Sequence, residues 1–214
     1  MTRMTVSLAV SLVAFFSVIF VAVRAQPGDA DLYTFLLTDG CTMPCWQHIQ
    51  PGITTVDEAL ALLRTNPWIS SASAGGTPAD TRIYWKWNET SSTFAQTMIS
   101  GPPDSYIYAR DGMVHYIRLT TRIHYGNVRL VMGAPETGSF QPSTPSTYNR
   151  LYFHTAGYFG GRVAFDTNLV CPAKPSQFWN DPVVIIYNDG SYNAYRAMPK
   201  YNLIPWIFET NCIS

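Results

Sequence analysis

Charge is scarce in this sequence and gathers into no block of one sign: Lys and Arg number 14, Asp and Glu number 14, and together they make up 13% of the chain. General nucleic-acid binding needs clustered Lys and Arg to neutralise phosphates, so that class is excluded. Metal spacing is missing as well. His48, His115, His124 and His154 are scattered, with no His-x-Glu, no His-Glu-x-x-His and no paired zinc pattern. A nucleophile elbow, a phosphate-cradling glycine loop and a dinucleotide fingerprint are also lacking. The expectation is therefore a protein without cofactor or metal that is not an enzyme. An enzyme of unrecognised type, with His154 as a general base on an outward face, is the least favoured alternative.

One long hydrophobic run is present. Val6 to Val23 lie behind a lone Arg3, between the roughly 7–15 residues of a secretory core and the roughly 17–25 of a spanning helix. Val23-Arg24-Ala25 before Gln26 fits a small-x-small cleavage site, so cleavage after Ala25 is expected, with a retained membrane anchor as the alternative. In either case the rest of the chain is read as extracytoplasmic. Removing residues 1–25 leaves 12 basic against 14 acidic residues.

Cys41, Cys45, Cys171 and Cys212 are even in number, and export makes them disulfides. Of three pairings, Cys41 with Cys45 and Cys171 with Cys212 are preferred. The alternative for the first pair is a redox or copper site, but Pro51 and Gly52 intervene before any helix that could activate a thiol. Abundant Tyr, Trp and Phe suit strands. Asn88-Glu89-Thr90 matches a glycosylation acceptor, a pattern too short to carry weight.

Thr55-Val56-Asp57-Glu58 is a capping box opening a helix with Val56, Ala59, Leu60 and Leu63 on one stripe, ended by Asn66-Pro67. Strands are predicted at Arg82 to Trp87, Phe94 to Ile99, Tyr106 to Arg110 and Met113 to Leu119, with Asp111-Gly112 as a hairpin turn. A second helical turn runs from Gly126 to Met132. A Pro/Ser/Thr-rich loop follows from Gln141 to Thr147. Further strands are predicted at Arg150 to Thr155, Gly161 to Thr167, Val183 to Tyr187 and Tyr192 to Ala197, with Gly160-Gly161 and Asn188-Asp189-Gly190-Ser191 as turns. The expected fold is α+β: two tandem units, 26–122 and 123–199, each a short helical segment packed on an antiparallel β-sheet. A tail, 200–214, carries Trp206 and Phe208 and is tied by disulfide.

Cys41-Thr42-Met43-Pro44-Cys45-Trp46, followed by Ile49-Gln50-Pro51-Gly52-Ile53-Thr54-Thr55 and Glu58-Ala59, resembles a group of uncharacterised exported bacterial proteins. The helix opening, repeated as Gly126-Asn127-Val128 to Gly133-Ala134-Pro135, is similar to that of the tandem-repeat fold of β-lactamase inhibitor protein and the small outer-membrane assembly lipoproteins. The resemblance implies a helix-backed antiparallel sheet with one open face. It carries over no inhibitory residue and no lipid-acceptor cysteine.

Strand alternation assigns that face independently. Arg82, Tyr84 and Lys86 fall on one side, as do Tyr106, Tyr108 and Arg110, and then Tyr116 and Arg118. The alternates Ile83, Trp85, Trp87, Ile107, Ile117 and Leu119 fall on the other. Arg150, Tyr152 and His154 are expected to continue the outward set. Tyr and Arg are the residues enriched at protein interfaces, so another extracytoplasmic or envelope protein is the expected partner, with no nucleic acid. An envelope structural protein anchored by its leader is the alternative.

Overall fold

The computed structural model describes residues 12, 15–17, 30–88, 93–142, 151–170, 174–191 and 198–201. The expected Cys171–Cys212 bridge, Arg150, the strand at 192–197 and the tail beyond 201 lie outside these residues, as does nearly all of the leader.

The sequence predicts two helix-on-sheet units, but the protein is mainly β, a single eight-stranded antiparallel sheet with short helices. Strands β1 (Ile69–Thr77), β2 (Asp80–Trp87), β3 (Tyr106–Arg110) and β4 (Met113–His124) form one meander. Strands β5 (Thr137–Pro142), β6 (Leu151–Tyr158), β7 (Val163–Val170) and β8 (Pro182–Asn188) form another. The two runs do not stand apart, because β4 pairs with β8 from Tyr116↔Asn188 to His124↔Pro182. The sheet order is β1-β2-β3-β4-β8-β7-β6-β5. The physical reason is that β4 has apolar residues on its covered face along its whole length. Val114, Ile117, Leu119 and Ile123 are all buried, and they meet Val183, Ile185 and Tyr187 of β8 in one core. A free strand edge there would expose both a row of amides and that apolar row.

The helices cover one face only. Helix α1 (Ala30–Leu36) contributes Leu32, Phe35 and Leu36, and α2 (Val56–Thr65) contributes Ala59 and Leu63. Helix α3 (Thr93–Met98) packs Phe94 and Met98 at the margin of the same core. Helix α4 (Tyr125–Met132) adds Tyr125 and Val128, and α5 (Pro175–Asn180) adds Phe178. The capping box holds as read: the Glu58 amide donates to Thr55 Oγ1 at 3.3 Å and the Thr55 amide to Glu58 Oε2 at 2.9 Å. The strand predicted at Phe94 to Ile99 is instead α3. Two strands have no counterpart in the sequence reading: β1, where no element is predicted, and β5, whose last two residues fall in the predicted loop from Gln141.

Before α2, the cysteine motif folds into a plug. Cys41 and Cys45 are joined with their Cα atoms 6.1 Å apart, and this disulfide indicates an oxidising, extracytoplasmic location. Trp46 and Ile49 pair as a bridge across Gln47 and His48, both at positive φ. The turn drives Trp46 into the core against Trp85, with ring centroids 5.1 Å apart, and Trp85 meets Trp87 at 5.9 Å. No helix among the described residues is long and apolar enough to cross a membrane.

Trp85 is 1% exposed, and its replacement by Ala is expected to cost about 3–5 kcal/mol in urea denaturation. Thr55→Ala, which removes the cap alone, is expected to cost about 0.5–2 kcal/mol. A Trp85 variant losing less than its Thr55 counterpart would contradict this placement of the core.

Candidate functional site

The uncovered face of β2, β3 and β4 carries the Tyr and Arg residues that alternation assigns to it. Cross-strand register sets Arg82 opposite Tyr108 and Tyr108 opposite Tyr116, while Tyr106 lies opposite Arg118. The rings form a ladder. Tyr84 and Tyr106 lie 6.4 Å apart, Tyr106 and Tyr116 5.9 Å, and Tyr116 and Tyr108 stack at 4.9 Å with an interplanar angle of 23°. The Tyr106 and Tyr116 hydroxyls are 3.2 Å apart and share a hydrogen bond. Such cross-strand contacts are the unit of sheet stabilisation and also fix ring orientation.

Both exposed arginines at one end of this ladder rest on rings. The Arg82 guanidinium carbon sits 5.1 Å from the Tyr106 ring centre, and that of Arg110 sits 5.9 Å from Tyr108. Arg110 Nη2 also donates to the Tyr108 hydroxyl at 3.4 Å. Hydrogen bonding to Tyr84 holds Arg82 above its ordinary pKa, and Tyr108 does the same for Arg110. Lys86 is exposed and Arg118 half-buried on the same face.

Beside these arginines lies a concavity of about 430 Å³, lined by Asp80, Arg82, Tyr108 and Arg110 on one side and by His115, Tyr116, Asp189 and Ser191 on the other. His115 reaches it through a β-bulge. Tyr108 pairs with Tyr116 while Ala109 pairs with Val114, so His115 is the extra residue and joins Tyr116 on the open face. His115 Nδ1 then lies 2.8 Å from Asp189 Oδ2. Asp189 Oδ1 accepts from the Ser191 amide at 2.8 Å and from the Ser191 hydroxyl at 2.6 Å.

Asp189 is held in place from both flanks. Asn188 Nδ2 donates to the Gly161 and Arg162 carbonyls at 3.1 Å each, and its Oδ1 accepts from the Gly190 amide at 2.9 Å. Gly52 presses against the other side, where a Cβ would stand 3.0 Å from Asp189 Cβ, and its φ of +81° also favours glycine.

His115, Asp189 and Ser191 do not form a catalytic relay. In such a relay the carboxylate and the hydroxyl occupy opposite ring nitrogens. Here Ser191 Oγ donates to Asp189 and lies 3.5 Å from the same Nδ1 that faces the carboxylate. The arrangement orients charges and leaves the hydroxyl without a base. Among the described residues no group of three His, Cys, Asp or Glu is placed to hold a metal ion. A second hollow, about 510 Å³, follows α2 past Ile53 and Leu62, and its one charged lining residue, Glu58, is occupied in the helix cap.

Two outward assignments on β6 are corrected. His154 is fully buried, and Tyr152 packs on the core side. The phase is opposite to that read, since Phe153, 45% exposed, takes the open face. A one-residue shift of phase exchanges the two faces. His154 is acceptable inside because both ring nitrogens find partners, Thr167 Oγ1 at 3.1 Å and the Tyr201 hydroxyl at 3.0 Å. It is enclosed by Phe140, Phe178 and Tyr125, with centroids 4.5 to 4.8 Å away. Sequence reading missed Asp80, His115, Asp189 and Ser191. Asp189 and Ser191 were legible only as turn residues, and the bulge that exposes His115 has no signature in alternation.

The chain matches no protein-family model, no curated protein and no solved structure. What this face can do therefore rests on its own geometry.

Burial lowers the pKa of His154 from 6.5 to about 3. Between those values the unfolded chain binds the extra proton, so stability is complete above about pH 6.5 and falls as pH drops towards 3, by up to about 1.4 kcal/mol per pH unit. Urea titrations between pH 7 and 5 are expected to show this slope in the native protein and a flatter one in His154→Gln. Parallel slopes would place the acid sensitivity elsewhere.

Proposed function

We propose that this chain is an exported, non-enzymatic binding protein that captures another extracytoplasmic or envelope protein on the Tyr/Arg face of β2, β3 and β4. The observation that carries the reading is the continuity of that face. Four tyrosines and two ring-stacked arginines from three adjacent strands form one ladder, opposite a face wholly taken up by the core. Rigid aromatic side chains supply contact area at low entropic cost, and arginine adds directional hydrogen bonding. Trp85 and Trp87 lie on the core side, so they offer no stacking platform of the kind carbohydrate binding uses.

Secretion is the finer reading of location. The Cys41–Cys45 disulfide supports export, and Ala25 before Gln26 supports leader removal. Mass spectrometry of the native protein is expected to find a mature start at Gln26. A start at Met1 would instead support the envelope-anchored structural protein.

Charge reversal tests the face. In cross-linking pull-downs from the native cell surface, Arg110→Glu and Arg118→Glu are each expected to reduce capture of the partner at least ten-fold, with the thermal midpoint close to that of the native protein for the exposed Arg110. Unchanged capture in both variants would dismiss the proposal.

A further inference from the structure

We propose that the concavity between β2–β3 and the turn after β8 is a carboxylate pocket, in which Arg82 and Arg110 seat an Asp or Glu side chain of the protein partner. The inference rests on the face reading above and adds the chemistry of what the face holds.

Three observations point to an acidic side chain. First, Arg82 and Arg110 are exposed, and the one ion pair among the described residues is His115 with Asp189. Beyond the bonds of Arg82 to Tyr84 and of Arg110 to Tyr108, each guanidinium keeps donors for an incoming acceptor, and guanidinium matches carboxylate in a two-bond fork. Second, each is stacked on a tyrosine ring, and Arg110 is also bonded to a hydroxyl, so their orientation is set before a ligand arrives. Preorganisation of this kind reduces the ordering cost of binding.

Third, the lining limits how much negative charge can enter. Asp189 has its two oxygens turned to His115 and to Ser191, which occupies its lone pairs and leaves its charge in the lining. Asp80 stands near both arginines without pairing to either. A carboxylate seated between the two guanidiniums brings one negative charge where a dianionic phosphate brings two, and with Asp80 and Asp189 already in the lining the monoanionic side chain meets less repulsion. The stacked Tyr108 and Tyr116 rings offer an apolar surface for the side chain's methylene stem.

The test uses the exported chain, purified in oxidised form, and a hexapeptide of alternating glutamate and glycine, with its glutamine counterpart and inorganic phosphate as comparison probes. In ¹⁵N NMR titrations the glutamate peptide is expected to shift the Nε–H signals of Arg82 and Arg110, and the glutamine peptide to leave them in place. Arg82→Gln and Arg110→Gln are each expected to weaken glutamate-peptide binding at least ten-fold. Lys86→Gln, on the same face outside the concavity, is expected to change it less than three-fold. Equal response to the two peptides, or tighter binding of phosphate than of glutamate peptide, would overturn the pocket. If Arg118→Glu abolishes capture of the native partner while Arg82→Gln and Arg110→Gln retain it, the pocket fails and the binding face stands. If none of the three affects capture, both fail.

Discussion

The pairing of β4 with β8 is the constraint on which the rest of this structure depends. Both strands present buried side chains towards the helices, and the register sets Ile117 opposite Tyr187 and Leu119 opposite Ile185, all without solvent exposure. That seam turns two meanders into one sheet with one main core. It also builds the concavity. Arg82 and Arg110 come from β2 and β3, His115 from β4, and Asp189 and Ser191 from the turn that follows β8. Two independent units would leave these residues on separate bodies. The charged site is thus a consequence of apolar burial on the opposite face, which holds the two runs in fixed register.

The segment from Cys41 to Glu58 serves both faces of the sheet. Its first half places Trp46 in the core beside Trp85 and Phe35. Its second half passes the end of β4, where the Gly52 amide donates to the Val114 carbonyl at 2.7 Å and the Val114 amide to the Thr54 carbonyl at 3.0 Å. These bonds bring Gly52 against Asp189 and then deliver Thr55 as a helix cap. The spacing between the cysteines, the glycine and the capping box therefore has three separate physical requirements: a core plug, a close approach and a helix start.

Much of this was legible from the residues alone, and the failures share a cause. The capping box, the Asp111-Gly112 hairpin with both residues at positive φ, and the outward set on β2, β3 and β4 follow from local rules, and the structure has them. Strand β1, Ile-Ser-Ser-Ala-Ser-Ala-Gly-Gly-Thr, was invisible because its residues have little strand preference. It is a strand because Trp87 to Asp80 pair with it and α2 packs over it. Phe94 to Met98 reads as β-rich yet forms α3, and the outward phase read from Arg150, Tyr152 and His154 is inverted in β6. In each case tertiary partners decided the outcome: Thr167 and Tyr201 for His154, the neighbouring strand for β1. Strand-to-strand topology has no local signature at all, so the seam could not be read.

With so little charge available, its placement carries the argument about function. The main core lies on one face and the Tyr/Arg ladder on the other, where Tyr116 also packs against a small cluster of Ala164 and Ile186, and neighbouring residues divide between the faces. Trp85 is sealed in the core while Tyr84 stands in the outer ladder; Ala109 is buried while Arg110 is exposed. Because β2 and β3 lie inside the sheet, with β1 and β4 paired on either side, their backbones cannot shift without breaking ladders on both edges. The outer side chains are accordingly held on a stiff support, which is the condition under which a few charges can be selective. The pair His115–Asp189 fits the same economy, being supplied by a bulge and a turn, the two places where the sheet's alternation is broken.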